Sequence, residues 1–152
     1  MGRGSVMKRA MARIRQPLTL ALGEPFAVPA EKNLYRQFIA TPAAYAGQPP
    51  LMFHPACLAG RAIRCRPETR DWSSLQDLLF HQFYLPPAVL RQPRVIVDLG
   101  CNVGYTAAHL AALYPTARIF GLELDSDNFA MALKNTDPWR ERVTLLNAAI
   151  WS

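Results

Sequence analysis

A turn with ligand-binding chemistry is indicated by four residues at alternate positions: Asp98, Gly100, Asn102 and Gly104. A carboxylate at the end of a strand can accept hydrogen bonds from an ammonium group. Glycine lets the backbone approach a ligand closely and adopt a positive φ, and asparagine tolerates the same left-handed conformation. A helix that begins near Gly104 would offer free N–H groups and a positive dipole end to an anion. The turn therefore predicts a site for a ligand that carries both charges.

A second carboxylate, Glu123, lies twenty-three residues after Gly100, at the end of the next apolar run. Ligands of parallel sheets bind outside the carboxyl ends of the strands, so Glu123 is placed to accept hydrogen bonds from ribose hydroxyls. The two carboxylates together predict a nucleoside site with a zwitterion beside it. A second interpretation of Glu123 remains open, as an acid that complements a helix dipole in the way expected of Asp125 and Asp127.

These residues need a framework, and the sequence from residue 95 onward alternates between short apolar runs and helical spacing. Strands and helices are expected to alternate in this order: strand Val95 to Leu99, helix Tyr105 to Leu113, strand Arg118 to Leu124, helix Asp127 to Asn135 and strand Val143 to Ile150. Such alternation predicts an α/β fold whose parallel strands are joined by right-handed crossovers.

The preceding part of the chain is less regular. The stretch "EKNLYRQFIA" predicts a short helix with Leu34, Phe38 and Ile39 facing inward, and residues 61–67 predict a strand. A further helix is expected to begin at Asp71 or Ser73 as its cap. It would then run through Leu75, Leu78, Leu79, Gln82 and Phe83 until Pro86 and Pro87 end it.

The spacing of the glycines argues against a dinucleotide site. The dinucleotide fingerprint needs glycine at its first, third and sixth positions, and these are Gly100, Asn102 and Tyr105 here. The form D-x-G-x-N-x-G instead resembles motif I of the class I S-adenosylmethionine-dependent methyltransferases. The ordered blocks "VIVDLGCNVGYTAAHLA", "IFGLELDSDNFAMALKN" and "VTLLNAAI", with the lead-in "RCRPETRDWSSLQDLLFHQFY", resemble the FkbM family of these enzymes.

The resemblance implies a cofactor, S-adenosyl-L-methionine, and a set of residues that bind it. Asp98, Gly100, Asn102 and Gly104 would hold its methionine part, Glu123 its ribose, and Ala149 with Ile150 would border its adenine. The remaining matches are Cys101, Tyr105, Asn135, Arg66, Asp71 and Tyr84. Cys101 and Tyr105 are counted among the cofactor-binding residues, and Cys101 stands where the family more often has alanine. The family transfers the methyl group to oxygen, typically on natural products or sugars, and no residue is assigned as the catalytic base.

The resemblance also predicts an incomplete domain, because the family continues with a fourth strand beyond the point where these 152 residues end. The expected fold is a Rossmann-like class I methyltransferase sheet, truncated after its third parallel strand. Residues 1–59 would form a basic arm and an irregular Pro/Ala-rich lead-in, and residues 60–152 the N-terminal part of the methyltransferase domain. The first strand would keep an open edge, which predicts self-association and little activity of this chain alone.

Net charge and cysteine content limit which binding partners and which cellular compartment the sequence favours. The net charge is +6, but five basic residues precede residue 17, and from there on twelve basic residues accompany eleven acidic ones. The basic excess therefore describes an arm, either a solvated terminus or a transit or membrane-surface segment, and predicts no nucleic-acid partner. No apolar run is long enough for a membrane span, and three cysteines without CxxC spacing favour a cytoplasmic protein.

His54 and Cys57 are too few ligands for a closed zinc site, so no metal is expected, and His81 and His109 are interpreted as packed or surface histidines. Two functions other than a methyltransferase remain open. They are a nicotinamide-type dinucleotide enzyme and a non-catalytic module that keeps the nucleoside pocket or only the scaffold.

Overall fold

The computed structural model describes residues 24–85 and 92–150. The basic arm, Pro86 and Pro87 lie outside the described residues, so the expectations that concern them stay predictions. Within the described residues, a parallel sheet with two crossover helices follows a smaller lead-in that contains an antiparallel hairpin.

The parallel sheet has three strands in the order β3–β4–β5, with Val95 beside Arg118 and Ile119 beside Val143. Its elements are β3 (Val95–Leu99), α3 (Tyr105–Leu113), β4 (Arg118–Leu122), α4 (Ser126–Thr136) and β5 (Val143–Leu146). The expected α/β alternation is confirmed, with β4 and β5 ending earlier than the apolar runs that predicted them. Asn147 follows β5 directly, and its side-chain amide donates to the carbonyls of Glu123 and Leu124.

The lead-in, which from here on means residues 24–85, is more structured than its sequence predicts. Its elements are α1 (Glu31–Ala40), β1 (Leu51–Phe53), β2 (Ile63–Cys65) and α2 (Asp71–Gln76), which continues as a π-helical turn over Asp77–His81. Strand β1 pairs antiparallel with β2 and was not anticipated, because three residues carry too short a pattern to recognise. Its partner β2 is the shorter, observed form of the strand expected over residues 61–67.

Three details of the predicted helices were wrong. Ile39 of α1 was expected to face inward but is exposed, whereas Tyr35, which was not expected to, is buried. Asp71 is the first residue of α2 and makes no cap hydrogen bond, because its carboxylate accepts from Arg66 instead. The π-helical turn ends before Gln82, and Phe83 is 80% exposed.

The lead-in and the start of the parallel sheet share one apolar core. Phe26, Tyr35 and Phe53 form an aromatic group in this core. The core also contains Val103, from the turn after β3, and Tyr105, the first residue of α3. A second core lies between α3 and the sheet, where Ala107 and Ile119 are completely buried. The lead-in therefore packs directly against the turn that carries the predicted ligand chemistry.

One face of the sheet is apolar and open in the described part of the chain. Val95, Val97 and Leu99 of β3 are 57%, 55% and 60% exposed, and Leu146 of β5 lies on the same face. Among the described residues, β3 pairs with β4 alone. The predicted self-association through this edge is not tested by these observations.

Candidate functional site

The turn between β3 and α3 is held by backbone hydrogen bonds to the neighbouring strand. The amides of Gly100 and Cys101 both donate to the carbonyl of Leu122, each at 2.9 Å. Asn102 adopts a φ of +49°, the left-handed conformation expected for it. Its side-chain amide donates to Ser74 Oγ at 2.9 Å, which ties the turn to α2.

The two glycines of the turn have different physical roles. Gly100 has a φ of +81°, and a Cβ added to it would meet nothing within 4 Å, so its backbone faces open space. Gly104 has a φ of +82°, but a Cβ there would lie 2.9 Å from Ala132 Cα, on α4. Gly104 therefore allows α3 to begin against α4, whereas Gly100 leaves room for a ligand.

Asp98 carries a buried carboxylate oxygen without a partner. Its Oδ2 is inaccessible to solvent and accepts no hydrogen bond from the described residues. Burial raises the pKa of this carboxyl to about 6. A buried acceptor that lacks a donor is costly to the fold, and a ligand that brings a donor would satisfy it.

Glu123 follows β4 directly and is fixed by two backbone amides. Its Oε2 accepts from Asn102 N at 2.8 Å, and its Oε1 accepts from Asp125 N at 3.0 Å. Asp125 is the residue that caps α4, with its carboxylate accepting from Asn128 N at 2.8 Å. Because each carboxylate oxygen can accept more than one hydrogen bond, Glu123 keeps capacity for hydroxyl groups.

Two cavities meet at Gly100. The inner cavity has a volume of about 190 Å³, and its polar lining consists of Ser74, Asp77, Tyr84, Asn102 and Thr106. The outer cleft has a volume of about 430 Å³ and runs along the strand ends past Leu99, Leu122, Glu123, Ala149 and Ile150. The inner cavity is small and polar, and the outer cleft is wider and mostly apolar. Gly100 lines both of them.

Two of the predicted site residues turn their functional groups toward the protein. The thiol of Cys101 is buried, and burial raises its pKa to about 12, so it stays protonated. The hydroxyl of Tyr105 donates to the carbonyl of Arg64 at 2.7 Å and so joins α3 to β2. Both residues still border the inner cavity.

The remaining matched residues support the turn from behind. Asn135 is fully buried, accepts from Arg64 N at 2.8 Å and donates to Val103 O at 2.9 Å. Arg66 donates to both carboxylate oxygens of Asp71 at 2.9 Å. These contacts fix the lead-in, the turn and α4 relative to one another.

Sequence reasoning missed the contribution of α2 to the site. Ser74 and Asp77 line the inner cavity, and Thr106 completes it from α3. The sequence pattern predicts a helix at this place, but it contains no signal that this helix packs against a turn twenty-five residues further on. The contact depends on tertiary packing, which local periodicity does not report.

Other side chains with chemistry take structural roles. The ring Nδ1 of His54 lies 2.6 Å from Glu31 Oε1. Over residues 24–85 and 92–150, no group of three or more His, Cys, Asp or Glu side chains is placed to hold a metal ion. In the same residues, no helix has both the length and the apolar character needed to cross a bilayer.

No family model matches the chain. A segment of 56 residues is 41% identical to malonyl-[acyl-carrier protein] O-methyltransferase of Legionella pneumophila. The match covers 37% of this chain and 19% of that relative. The broad expectation of a methyltransferase-like chain is thereby supported, whereas membership of the FkbM family stays a prediction.

Solved structures that align with the chain include proteins bound to S-adenosyl-L-methionine or to SAH. Aeropyrum pernix fibrillarin with S-adenosyl-L-methionine is 17% identical over 64% of this chain and 51% of its own, with a TM-score of 0.37. Coclaurine N-methyltransferase with N-methylheliamine and SAH is 15% identical over 93% of this chain and 44% of its own, with a TM-score of 0.40. Scores below 0.5 do not establish a common fold, so the fold assignment rests on the strand order and crossovers described above.

Proposed function

We propose that the chain binds S-adenosyl-L-methionine and is part of a methyltransferase. The observation that carries the proposal is the junction at Gly100, where an open backbone position separates a polar cavity from a wider apolar cleft. S-adenosylmethionine has the matching division, a small zwitterionic end and a larger nucleoside end. The match to an O-methyltransferase over 56 residues supports the same assignment.

The residues of this chain fit the two ends of such a ligand. Asp98 would accept from the ammonium group, which supplies the donor that its buried Oδ2 lacks. The amides at the start of α3 would face the carboxylate. Glu123 would accept from the ribose hydroxyls, and Ala149 with Ile150 would border the adenine in the outer cleft.

Bound S-adenosylmethionine supplies an electrophilic methyl group on its sulfonium. The task of the protein is then to hold an acceptor atom in line with that methyl group and to exclude water. The acceptor is proposed to be an oxygen, which agrees with the name of the curated relative and with the resemblance to the FkbM family. We propose a hydroxyl of a natural product or a sugar, and we assign no general base.

Two alternatives are less well supported by the site. A nicotinamide dinucleotide needs a glycine where Asn102 stands and another at Tyr105, whose hydroxyl is bonded to the lead-in. A non-catalytic module would keep the cavities without turnover, and only activity measurements separate it from an enzyme. The cytoplasmic location, the division near residue 60 and the absence of a nucleic-acid partner stay predictions.

The proposal is tested by calorimetric titration of the purified chain with S-adenosyl-L-methionine, S-adenosylhomocysteine and NAD. We expect both sulfur nucleosides to bind and NAD not to bind. Methyl transfer from labelled S-adenosylmethionine to a panel of hydroxyl compounds then tests the enzyme assignment. Binding of NAD alone, or of none of the three, would overturn the proposal.

A further inference from the structure

A tyrosine and a histidine are joined by a hydrogen bond at the wall of the inner cavity. The hydroxyl of Tyr84 lies 2.6 Å from His109 Nδ1, and the two rings meet edge to face at 84°. Tyr84 lines the cavity, whereas His109 is 5% exposed and lies behind it on α3. The pair joins the end of the lead-in to the helix that begins at the ligand-binding turn.

The protonation states of the pair follow from its surroundings. Burial lowers the pKa of His109 to about 4, so the imidazole is neutral near pH 7. Burial raises the pKa of Tyr84, and the neighbouring Cys57, Asp77 and Asp98 raise it further, so the phenol stays protonated. A neutral imidazole has one acceptor nitrogen, and a phenol has one proton to donate.

The charges around Tyr84 determine what it can recognise. Asp77 lines the same cavity, and the charge of Asp98 is near enough to act on the phenol. Among the described residues that line this cavity, none is a lysine or an arginine. A donor-rich, positively charged group is therefore favoured here over an anion.

We propose that His109 positions Tyr84 as a hydrogen-bond acceptor for the ammonium group of the ligand in the inner cavity. With the imidazole proton assigned to Nε2, His109 Nδ1 accepts from the Tyr84 O–H, and the phenol oxygen can then act toward the cavity only as an acceptor. The inference rests on the proposed function, because it assigns a specificity role within the same site.

The test measures how each variant changes the affinity for two ligands, one with and one without the amino-acid end that would enter the inner cavity. S-adenosyl-L-methionine carries the amino-acid end on a sulfonium, whereas 5′-methylthioadenosine is an uncharged thioether of the same nucleoside that lacks this end. We expect Tyr84→Phe to raise the Kd for S-adenosylmethionine about tenfold, the scale of one hydrogen bond to a charged group. The Kd for methylthioadenosine should stay unchanged. His109→Leu, which removes the acceptor, should act in the same direction.

Two further variants separate positioning from a structural role. His109→Asn keeps an acceptor near the place of Nδ1 and should restore the affinity for S-adenosylmethionine. Tyr45→Phe is the matched control, because Tyr45 packs on Phe38 in the lead-in, and it should bind both ligands as the unmodified chain does. The double variant Tyr84→Phe/His109→Leu should be no weaker than Tyr84→Phe, because both changes break one coupled unit.

Equal weakening of both ligands by Tyr84→Phe would show that the pair only supports the fold, and no weakening of either would remove Tyr84 from the site. Both results overturn the inference and leave the proposed function standing. If the unmodified chain binds neither ligand, the proposed function itself fails.

Discussion

The backbone amide of Asn102 donates to the carboxylate of Glu123 at 2.8 Å, so the turn between β3 and α3 and the end of the neighbouring strand are joined directly. The bond places an acid beside the mouth of the outer cleft and fixes the left-handed residue of the turn at the same time. The proposed ribose carboxylate therefore has a structural partner before any ligand arrives. Preorganisation of this kind lowers the cost of ordering a site on binding.

Replacing Glu123 with alanine should weaken S-adenosylmethionine binding by about 1–3 kcal/mol, the scale of lost charged hydrogen bonds. The same change frees the amide of Asn102, so we also expect a lower free energy of unfolding. Isothermal titration and urea melts measure the two effects. Glu141→Ala is the matched control on an exposed acid outside both cavities, and unchanged binding in Glu123→Ala would contradict the ribose assignment.

Asp98→Asn should stabilise the protein near pH 8 while it weakens ligand binding. The folded-state pKa of Asp98 is about 6, above that of an unfolded aspartate, so folding is penalised once pH rises through this value. We expect the variant to gain about 3 kcal/mol of unfolding free energy at pH 8 and nothing below pH 4. Denaturant melts across this range check the sign, and a loss of stability at pH 8 would show that the carboxylate has a partner.

Ligand affinity should fall as the pH is lowered from 7 to 5. Asp98 becomes protonated below about pH 6 and can then no longer attract an ammonium group. Because the pKa of His109 is lowered to about 4, His109 does not contribute over this range. We expect the Kd for S-adenosylmethionine to rise about tenfold. Asp98→Asn should show a flat profile, and equal slopes in both proteins would assign the effect to another group.

Alanine at Gly104 should mainly lower stability, whereas alanine at Gly100 should mainly lower ligand affinity. Both positions have a positive φ, so each substitution costs roughly 1–2 kcal/mol of backbone strain. At Gly104 the new Cβ also meets the backbone of Ala132, so Gly104→Ala should destabilise the fold further. Gly100→Ala should be less destabilised than Gly104→Ala but should bind the ligand more weakly, because its Cβ enters the space between the cavities. Thermal melts and ligand titrations of both variants measure the two effects. Equal melting temperatures of Gly100→Ala and Gly104→Ala would contradict the packing role of Gly104.

The sequence predicts the parallel part of the fold well, because β3 and α3 are long enough to show their periodicity and the turn between them has few alternatives. The lead-in is harder to predict. The hairpin of Leu51–Phe53 and Ile63–Cys65 depends on pairing across a loop, and no local pattern encodes that pairing.

The residues of the candidate site also fall into those that the sequence predicts and those that it does not. Asp98, Gly100 and Glu123 are recognisable from their spacing along the strands that carry them. Ser74 and the pairing of Tyr84 with His109 depend on how α2 and the end of the lead-in pack on the turn. A histidine in a helix looks the same in sequence whether it faces solvent or a tyrosine hydroxyl.

Val97→Lys should reduce self-association of the chain. Val97 is 55% exposed at the centre of the open apolar face, beside Phe120, and a contiguous apolar surface next to a strand edge favours pairing with a second copy. A lysine there adds charge without removing buried contacts, so the melting temperature should change little. Light scattering over a concentration series measures the effect. Thr144→Lys is the control, because Thr144 lies in the same row of the same face but is already polar. An unmodified chain that stays monomeric at all concentrations would show that this face is not a docking surface.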